Sequence, residues 1–302
     1  MSDPRPTVVC FGEILWDFLP RGAFPGGAPF NVAYHLHRLG LRSHLVSAVG
    51  HDLLGDDLLR RLRHWGLETE GVSRHRGLAT GHVRAALDAA GNATYEIATE
   101  VAWDQIIPGE DSIRAAFGAR ALVFGSLAQR SAMNRAALGR LLATLPAGAL
   151  RLFDVNLRAP YDDLALVREL AGRCTLLKLN AAEAARLNDD SPGFGREEGH
   201  ARALARQCGC ATVCVTAGGH GAGILAAGTW HWVGARPVTV RDTVGAGDAF
   251  TAGLLAGLLL HGETPPEAAA RAARLGEFVA TQDGATPAYT CDAAGRPAAP
   301  AA

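Results

Sequence analysis

Short apolar runs alternate with longer amphipathic stretches along most of this 302-residue chain. The apolar runs are typical of buried strands, and the amphipathic stretches carry apolar residues at helical spacing. The predicted strands are residues 8–11, 44–49, 121–124, 150–155, 175–179 and 212–216. The predicted helices are residues 31–39, 54–65, 133–145, 164–171, 181–187, 199–207 and an apolar run at 249–260. This alternation predicts an α/β fold with a mainly parallel sheet, covered on both faces and binding ligands at the carboxyl ends of its strands.

Two segments interrupt the alternation, at residues 13–27 and 68–103. The second contains alternating stretches at 81–87 and 93–97 joined by turn-forming residues at 88–92, which predicts a β-hairpin. Together the two segments predict a small antiparallel lid over the carboxyl edge of the sheet, or else a hairpin without a function. Residues 1–302 are predicted to be one domain, with a flexible tail rich in alanine, glycine and proline at 289–302.

Composition narrows the classes of function. The formal net charge is −1, Lys178 is the only lysine, and no basic cluster predicts nucleic-acid binding. No apolar run approaches the roughly 20 residues of a membrane helix. The first residues lack a signal-peptide pattern, so a cytoplasmic protein without a membrane partner is expected. Cys208, Cys210 and Cys214 lie close together without a nearby histidine, which favours reduced thiols over a metal site.

The most informative stretch is residues 242–250, Asp-Thr-Val-Gly-Ala-Gly-Asp-Ala-Phe. Gly245, Ala246 and Gly247 stand where a loop turns into a helix, and the first N–H groups of a helix are unpaired and partly positive. Glycines let an anion approach those groups, so the segment predicts a phosphate cradle. Asp248 follows directly and would orient a hydroxyl that attacks the phosphate, which indicates phosphoryl transfer. The alternative is a glycine loop that only begins a buried helix, and no Walker sequence is present.

A second group of polar residues predicts the site of the acceptor. Asp17 can accept two hydroxyl hydrogens, Gly27 precedes a helix start where backbone can approach a ligand, and Asn31 both donates and accepts. A site built for sugar hydroxyls needs such paired polar contacts. Each residue alone would also suit a helix cap or the surface. Arg158, at the end of Asp154-Val-Asn-Leu-Arg, would meet a sugar or a phosphate, or would form a structural ion pair.

Taken together, these motifs resemble the signatures of the ribokinase-like (pfkB) carbohydrate kinases over residues 8–287. The resemblance implies a ribokinase-like three-layer αβα fold with a small β-sheet lid. It also implies that Asp248 is the catalytic base beside the Gly245–Gly247 cradle, and that the sugar is held by Asp17, Gly27 and Asn31. Within the family, the N-terminal signature is most similar to that of fructokinases.

The resemblance also implies a nucleotide site in the second half of the chain. Its ATP-binding residues would be Asn180, Thr216, Gly218, Gly219, Gly221, Gly284 and Ala285. Glu183, three residues after Asn180, would contact Mg²⁺ through water. The same spacing of these two residue types is also typical of a helix capping box. His220 would replace a lysine or another polar residue of the family, or would simply be exposed.

These implications combine into an ATP-dependent sugar kinase that uses Mg²⁺. Its K⁺ site would involve Asp242 and the backbone of Val244, with further backbone from Val279, Gln282 and Gly284. Fructokinase is the first expectation. Because a sugar acid would use Arg158 for its carboxylate, a 2-keto-3-deoxygluconate kinase is the second, followed by a nucleoside or ribose kinase and by an inactive sugar-binding protein of the same fold. A homodimer through the exposed lid edge is also expected.

Overall fold

Strands and helices alternate along the protein, for which a computed structural model describes residues 5–20, 22–87, 93–292 and 295–298. The strands are β1 (Thr7–Phe11), β2 (Leu15–Leu19), β3 (Gly22–Gly26), β4 (Arg42–Gly50), β5 (Val72–His75), β6 (His82–Leu87), β7 (Ala93–Ile97), β8 (Ala121–Gly125), β9 (Leu150–Asp154), β10 (Leu176–Asn180), β11 (Thr212–Thr216), β12 (Gly221–Ala226), β13 (Thr229–Gly234), β14 (Thr290–Cys291) and β15 (Pro297–Ala298). The α-helices are α1 (Ala28–Arg38), α2 (Leu53–His64), α3 (Glu110–Phe117), α4 (Ala132–Thr144), α5 (Leu164–Ala171), α6 (Ala181–Leu187), α7 (Glu197–Cys208), α8 (Ala246–Leu259) and α9 (Pro265–Ala280).

The central sheet has the strand order β13-β12-β11-β10-β9-β8-β1-β4-β5. The strands from β11 to β5 run parallel, and β12 and β13 extend the sheet through antiparallel pairs. After β1, the chain adds β4 and then β5 to the sheet on one side of β1. Later it adds the strands from β8 to β11 in turn on the other side of β1. The direction of growth therefore reverses between β1 and β8, and the crevice at such a reversal is where open α/β sheets bind ligands.

Side chains that alternate along β1 give the sheet two buried faces. Val8 and Cys10 belong to the core on one face, and Val9 and Phe11 to the core on the other. Helices α1, α2, α8 and α9 pack on the first face, whereas α3 to α7 pack on the second. Because the inner strands are covered on both sides, their sequences are mostly apolar, with buried polar exceptions such as Ser47 on β4 and Lys178 on β10. The predicted three-layer αβα fold with a mainly parallel sheet is confirmed.

A separate four-stranded sheet with the order β3-β2-β6-β7 corresponds to the predicted lid. The hairpin is confirmed for β6 and β7, which pair antiparallel, while its turn at 88–92 lies outside the described residues. Strands β2 and β6 pair in parallel, so the prediction of an antiparallel lid is wrong. The chain reaches β6 only after crossing through β4, α2 and β5, and therefore enters the lid in the same direction as β2. The second lid segment is also shorter than predicted, because β5 pairs with β4 of the central sheet.

Helix α8 is buried around its whole circumference between α1 and α9, as its uninterrupted apolar run predicts. A Cβ at Gly253 would lie 2.9 Å from the Cα of Ala272, and one at Gly257 would lie 2.8 Å from the Cα of Ala268. The backbones of α8 and α9 therefore approach each other closely. Despite this apolar sequence, no helix in the described part of the chain is long and apolar enough to span a membrane.

The C-terminal segment is packed where it begins. Tyr289 is fully buried, and its hydroxyl lies 3.0 Å from Nδ1 of His35 on α1. Strand β14 then pairs antiparallel with β15. Residues 289–292 are therefore ordered against the core rather than part of the flexible tail predicted for 289–302. Residues 293, 294 and 299–302 of that tail lie outside the described residues.

Adding one methyl group at Gly253 tests the close approach of α8 and α9. Gly253→Ala is expected to lower the free energy of unfolding by about 1–3 kcal/mol, because its Cβ would overlap the backbone of α9. Gly139→Ala on α4 is the matched control, since the nearest atom to its Cβ would be 3.9 Å away. The control should be neutral or stabilising by about 0.5–1 kcal/mol. Urea unfolding measures both, and equal losses would contradict this packing.

Candidate active site

Two cavities open at the carboxyl edge of the central sheet and meet at the start of α8. The first, the lid cavity, has a volume of about 520 Å³ and lies between the lid, the loops after β1 and β9, and the start of α8. The second, the outer cavity, has a volume of about 470 Å³ and lies beyond the ends of β10 and β11, beside α9. Thr243 and Gly247 line both cavities, so a group bound at this junction would be accessible from either side.

The predicted acceptor residues converge in the lid cavity, which is lined by Asp17, Gly27, Asn31 and Arg158. Asp17 lies on β2, opposite Phe24 of β3. Gly27 has a φ of +111° and precedes α1, and a Cβ there would overlap the carbonyl oxygen of Glu13. A side chain at this position would therefore push the loop after β1 away from the start of α1.

Asp248 lies in the first turn of α8 and accepts a hydrogen bond from Nδ2 of Asn31 at 2.8 Å. Burial, and after it the Asp154 carboxylate, raises the pKa of Asp248 to about 6. The hydrogen bond from Asn31 and the charges of Lys178 and Arg158 act in the opposite direction. Asp248 is therefore ionised at neutral pH and accepts a proton more readily than an ordinary aspartate, whose pKa is about 3.9.

Glu13 is a cavity residue that the sequence pattern did not identify as a site residue. Its side chain is 3 % exposed and lines the lid cavity just beyond the end of β1. Oε1 accepts the N–H of Ala28 at 3.2 Å, whereas Oε2 has no hydrogen-bond partner among the described residues. Burial raises the pKa of Glu13 to about 7 and that of Asp17 to about 6. The sequence signal that could have identified Glu13 is its position just after a buried strand. Structural caps are also typical of that position.

Arg158 reaches the lid cavity from the loop after β9, together with Asn156, whose φ is +43°. The Arg158 side chain is exposed, and Nη1 donates to the carbonyl oxygen of the adjacent Leu157 at 2.9 Å. No salt bridge joins it to a carboxylate within the described ranges, so the structural ion pair considered above is not observed. Its guanidinium is thus available to a ligand.

The backbone at the start of α8 has the shape of the predicted anion cradle. Gly245 precedes the helix with a φ of +79°, and a Cβ there would lie 2.5 Å from the Cα of Ala285. Ala246 donates its N–H to the carbonyl oxygen of Thr243 at 3.2 Å. The following N–H groups lie in the first turn, where helices provide no internal partner. Gly247 is exposed to both cavities, so an anion at the junction would meet backbone rather than a side chain.

The outer cavity contains most of the predicted nucleotide residues. Its lining includes residues at the ends of β10 and β11 and in the 3₁₀ turn that follows, namely Asn180, Thr216, Gly218, Gly219 and Gly221. The opposite wall comes from the loop after β13 and from α9, through Ala235, Arg236, Val238, Val240, Ala273, Gly276, Glu277 and Ala280. Sequence reasoning missed this wall, because its mostly small and apolar residues are spread from Ala235 to Ala280 and carry no motif.

Three predicted nucleotide contacts lie outside that lining. His220 is exposed and lies against Phe194, with 4.7 Å between ring centroids and the rings tilted by 34°. Gly284 and Ala285 lie behind the cradle, and the carbonyl oxygen of Ala285 is 2.9 Å from Nε2 of His35. Burial lowers the pKa of His35 to about 4, so this histidine is neutral at pH 7. Ala285 packs against Gly245. Direct contact of Gly284 and Ala285 with ATP stays a prediction.

The Asn180–Glu183 pair forms the capping box that its spacing also allowed. Oδ1 of Asn180 accepts the N–H of Glu183, and Oε2 of Glu183 accepts the N–H of Asn180, both at 2.9 Å. Oε1 of Glu183 accepts the N–H of Leu157 at 2.8 Å. Among the described residues no cluster of three or more acidic, histidine or cysteine side chains suits a metal. Both carboxylate oxygens of Glu183 already accept backbone N–H groups, so Mg²⁺ would have to be held by a nucleotide and its own waters, and a water-mediated contact of Glu183 stays a prediction.

Asp242 joins the two loops that were expected to form a K⁺ site. Its Oδ1 accepts the N–H of Val244 at 3.0 Å, and its Oδ2 accepts the N–H of Gly284 at 3.3 Å. The carbonyl oxygen of Val279 accepts the N–H of Gln282 at 2.9 Å. The loops are therefore adjacent as expected, and cation binding itself stays a prediction.

Comparisons with known proteins cover nearly the whole chain. Residues 21–290 match the model of the pfkB family carbohydrate kinases. A fructokinase from Klebsiella pneumoniae is 31% identical over 262 residues, covering 83% of this chain and 84% of that protein. A fructokinase double mutant from Vibrio cholerae O395, in fructose, ADP and potassium ion bound form, has a TM-score of 0.80 at 25% identity, covering 95% of this chain and 96% of that one. Aminoimidazole riboside kinase from Salmonella enterica, complexed with aminoimidazole riboside and an ATP analog, has a TM-score of 0.77 at 25% identity, covering 93% and 95%.

The cradle predicts a loss of kcat for alanine at either glycine but a loss of stability at only one of them. Gly247→Ala is expected to lower kcat by about 10²-fold, because its methyl would project into the junction. Only Nζ of Lys178, at 3.7 Å, would lie near that Cβ, so the free energy of unfolding should not fall. Gly245→Ala is the comparison variant and should lower both, because its φ is positive and its Cβ would overlap Ala285. ADP release and urea unfolding measure the two effects, and a normal kcat in Gly247→Ala would argue against the cradle.

The pKa of Asp248 predicts the acid side of the pH profile. Because burial raises this pKa to about 6, the carboxylate takes a proton as the pH falls through 6, and kcat/KM should fall with it. Asp248→Asn should lower kcat by at least ~10²-fold at pH 7.5. Glu13→Gln is the control, because Glu13 titrates in the same cavity and its removal should leave a limb near pH 6. A limb that disappears in Glu13→Gln would assign the base to Glu13 instead.

Proposed function

Since this chain belongs to the pfkB family of carbohydrate kinases and is an ATP-dependent sugar kinase, we propose that its acceptor is fructose. The observation that carries this proposal is the charge of the lid cavity, which contains the carboxyl groups of Glu13, Asp17 and Asp248 and the guanidinium of Arg158. The likeness to fructokinases from Klebsiella pneumoniae and Vibrio cholerae supports the same substrate.

A neutral sugar suits this cavity better than a sugar acid does. Burial raises the pKa of Glu13 to about 7 and those of Asp17 and Asp248 to about 6, so the cavity already disfavours negative charge. The carboxylate of a sugar acid would add another negative charge, whereas sugar hydroxyls donate hydrogen bonds to carboxylates. The charge of Arg158 lowers the pKa of all three groups and so already offsets part of their repulsion.

In the proposed reaction, Asp17, Asn31 and the backbone of Gly27 orient the sugar. Asp248 accepts the hydrogen of the attacking hydroxyl. An aspartate is too weak a base to ionise an alcohol beforehand, but in a loose transition state the proton moves late and positioning dominates. The N–H groups at the start of α8, beside Gly245 and Gly247, stabilise the charge on the transferred group. Closure of the lid would exclude water from the junction and limit hydrolysis of ATP.

The outer cavity is the proposed site of ATP. Its glycine turn at Gly218 and Gly219 lets phosphate or ribose approach backbone, while its apolar wall suits a base. Mg²⁺ bound with the nucleotide would neutralise charge on the phosphates, and Asn180 and Glu183 are the nearest proposed contacts. A K⁺ ion at Asp242 is part of the proposal, supported by the potassium-bound Vibrio cholerae enzyme. A cytoplasmic location and a homodimer through the lid stay proposals as well.

One observation favours a second candidate, a sugar-acid kinase acting on 2-keto-3-deoxygluconate. The guanidinium of Arg158 is exposed in the lid cavity and bonds only the carbonyl oxygen of Leu157 among the described groups. A planar guanidinium can bind a carboxylate through two parallel hydrogen bonds. The likeness to aminoimidazole riboside kinase keeps a nucleoside acceptor as a third candidate.

Turnover of a panel of acceptors separates these candidates. ADP release is measured with ATP and Mg²⁺ against fructose, ribose, 2-keto-3-deoxygluconate and adenosine, with and without K⁺. Fructose is expected to give the highest kcat/KM with the wild-type enzyme. In the Arg158→Gln variant, the KM for fructose should change less than kcat does, because the sugar itself is neutral. The highest rate with 2-keto-3-deoxygluconate, lost in Arg158→Gln, would overturn fructokinase in favour of the acid kinase. Sugar binding without any ADP release would indicate the inactive binding protein.

A further inference from the structure

Lys178 is the only lysine among the 29 lysine and arginine residues of the sequence. It lies on β10, and its side chain is 4 % exposed. A lysine carries a compact ammonium, whereas an arginine needs room for a planar guanidinium. In a chain that otherwise uses arginine for positive charge, this position is thus occupied by the one compact ammonium.

A chain of buried polar contacts joins Lys178 to the first turn of α8. Nζ of Lys178 lies 2.7 Å from Oδ2 of Asp154, at the end of the neighbouring strand β9. The hydroxyl of Thr251 lies 2.8 Å from the same Oδ2 and 3.0 Å from the carbonyl oxygen of Gly247. Its single hydrogen serves one of these two acceptors at a time. The strand pair β9 and β10 is therefore connected to the peptide of Gly247, which lines both cavities.

The ammonium of Lys178 also lies beside the anion cradle. A Cβ built on Gly247 would be 3.7 Å from Nζ, with no other atom within 4 Å beyond its own helix and chain neighbours. Gly247 itself is exposed and lines both cavities at their junction. The positive charge therefore lies next to the backbone that an anion at the junction would meet.

A purely structural role accounts poorly for this pair. A buried ion pair is weak evidence of stability, because replacing both partners by apolar groups of similar volume is often neutral or stabilising. The pair also acts on the group next to the cradle: Asp154 raises the pKa of Asp248, and Lys178 lowers it. Groups that face Asp248 from the other elements are Asn31 on α1, Glu13 after β1 and Arg158 after β9.

We propose that Lys178 is a positioning residue for phosphoryl transfer: through Asp154 and Thr251 it holds the first turn of α8, and its ammonium supplies positive charge beside the backbone that receives the transferred group. The proposal rests on the transfer site described under Proposed function but not on the identity of the sugar. It is therefore tested with whichever sugar the wild-type enzyme turns over fastest. A substrate other than fructose would overturn the fructokinase proposal and leave this one standing.

The first test removes the ammonium. Lys178→Met is expected to lower kcat by about 10²-fold while the KM for the sugar stays within about threefold, because the acceptor pocket is not touched. The acid limb of kcat/KM should move to higher pH, because a charge that favours the ionised form of Asp248 is lost. The control is Arg130→Met, which breaks another largely buried ion pair, 2.7 Å from Asp104, outside both cavities. It should lower the free energy of unfolding and leave kcat unchanged.

The second test keeps the experiment decisive if Lys178→Met folds poorly. The double variant Asp154→Asn with Lys178→Met leaves no unpaired charge and should restore the free energy of unfolding but not kcat. Thr251→Val should lower kcat by about tenfold or more, and Thr251→Ser, which keeps the hydroxyl, should retain most of the activity. A folded double variant with wild-type kcat, or Thr251→Val with wild-type kcat and pH profile, would show that the pair only stabilises the sheet and would overturn the proposal.

Discussion

The site depends on how closely an anion can approach the first turn of α8. Gly245 has a positive φ and lies against Ala285, so no side chain fits between them. Helix α8 stays in this position because it is buried on all sides, with Gly253 and Gly257 against the backbone of α9. The two cavities meet at this turn, where Thr243 and Gly247 line both. The shape of their junction is thus set by backbone.

The charges around that turn are divided between its two sides. The lid cavity is rich in carboxyl groups, and burial holds Glu13, Asp17 and Asp248 partly towards their neutral forms. At the cradle, the ammonium of Lys178 beside Gly247 and the partial charge of the helix start are positive. Hydroxyl donors therefore suit the lid side and phosphate oxygens suit the cradle. Helix α1 connects the two sides, because Asn31 bonds Asp248 near its start and His35 bonds the loop at Ala285.

Local patterns predicted those features that depend on neighbouring residues. The alternation of apolar and amphipathic runs indicated the layers, because the burial of strands and helices leaves a period in the sequence. The glycines at 245 and 247 indicated the cradle. Local patterns were not sufficient where one sequence motif fits two roles. Asn180 and Glu183 form a capping box whether or not a metal is near. They also failed for β5, which continues the central sheet by pairing with β4.

By itself, the sequence determined the fold class, and it predicted a cradle at the start of α8 and a set of polar residues for a sugar, since glycine conformations and helix starts are encoded within a few residues. Only the tertiary structure decided which of those residues meet and what charge they carry. Asn31 and Asp248 are 217 positions apart and form one hydrogen bond. The pKa of Glu13 and the enclosure of Lys178 result from burial by elements distant in the chain. Burial and long-range electrostatics belong to the packed molecule, because they depend on distances through space.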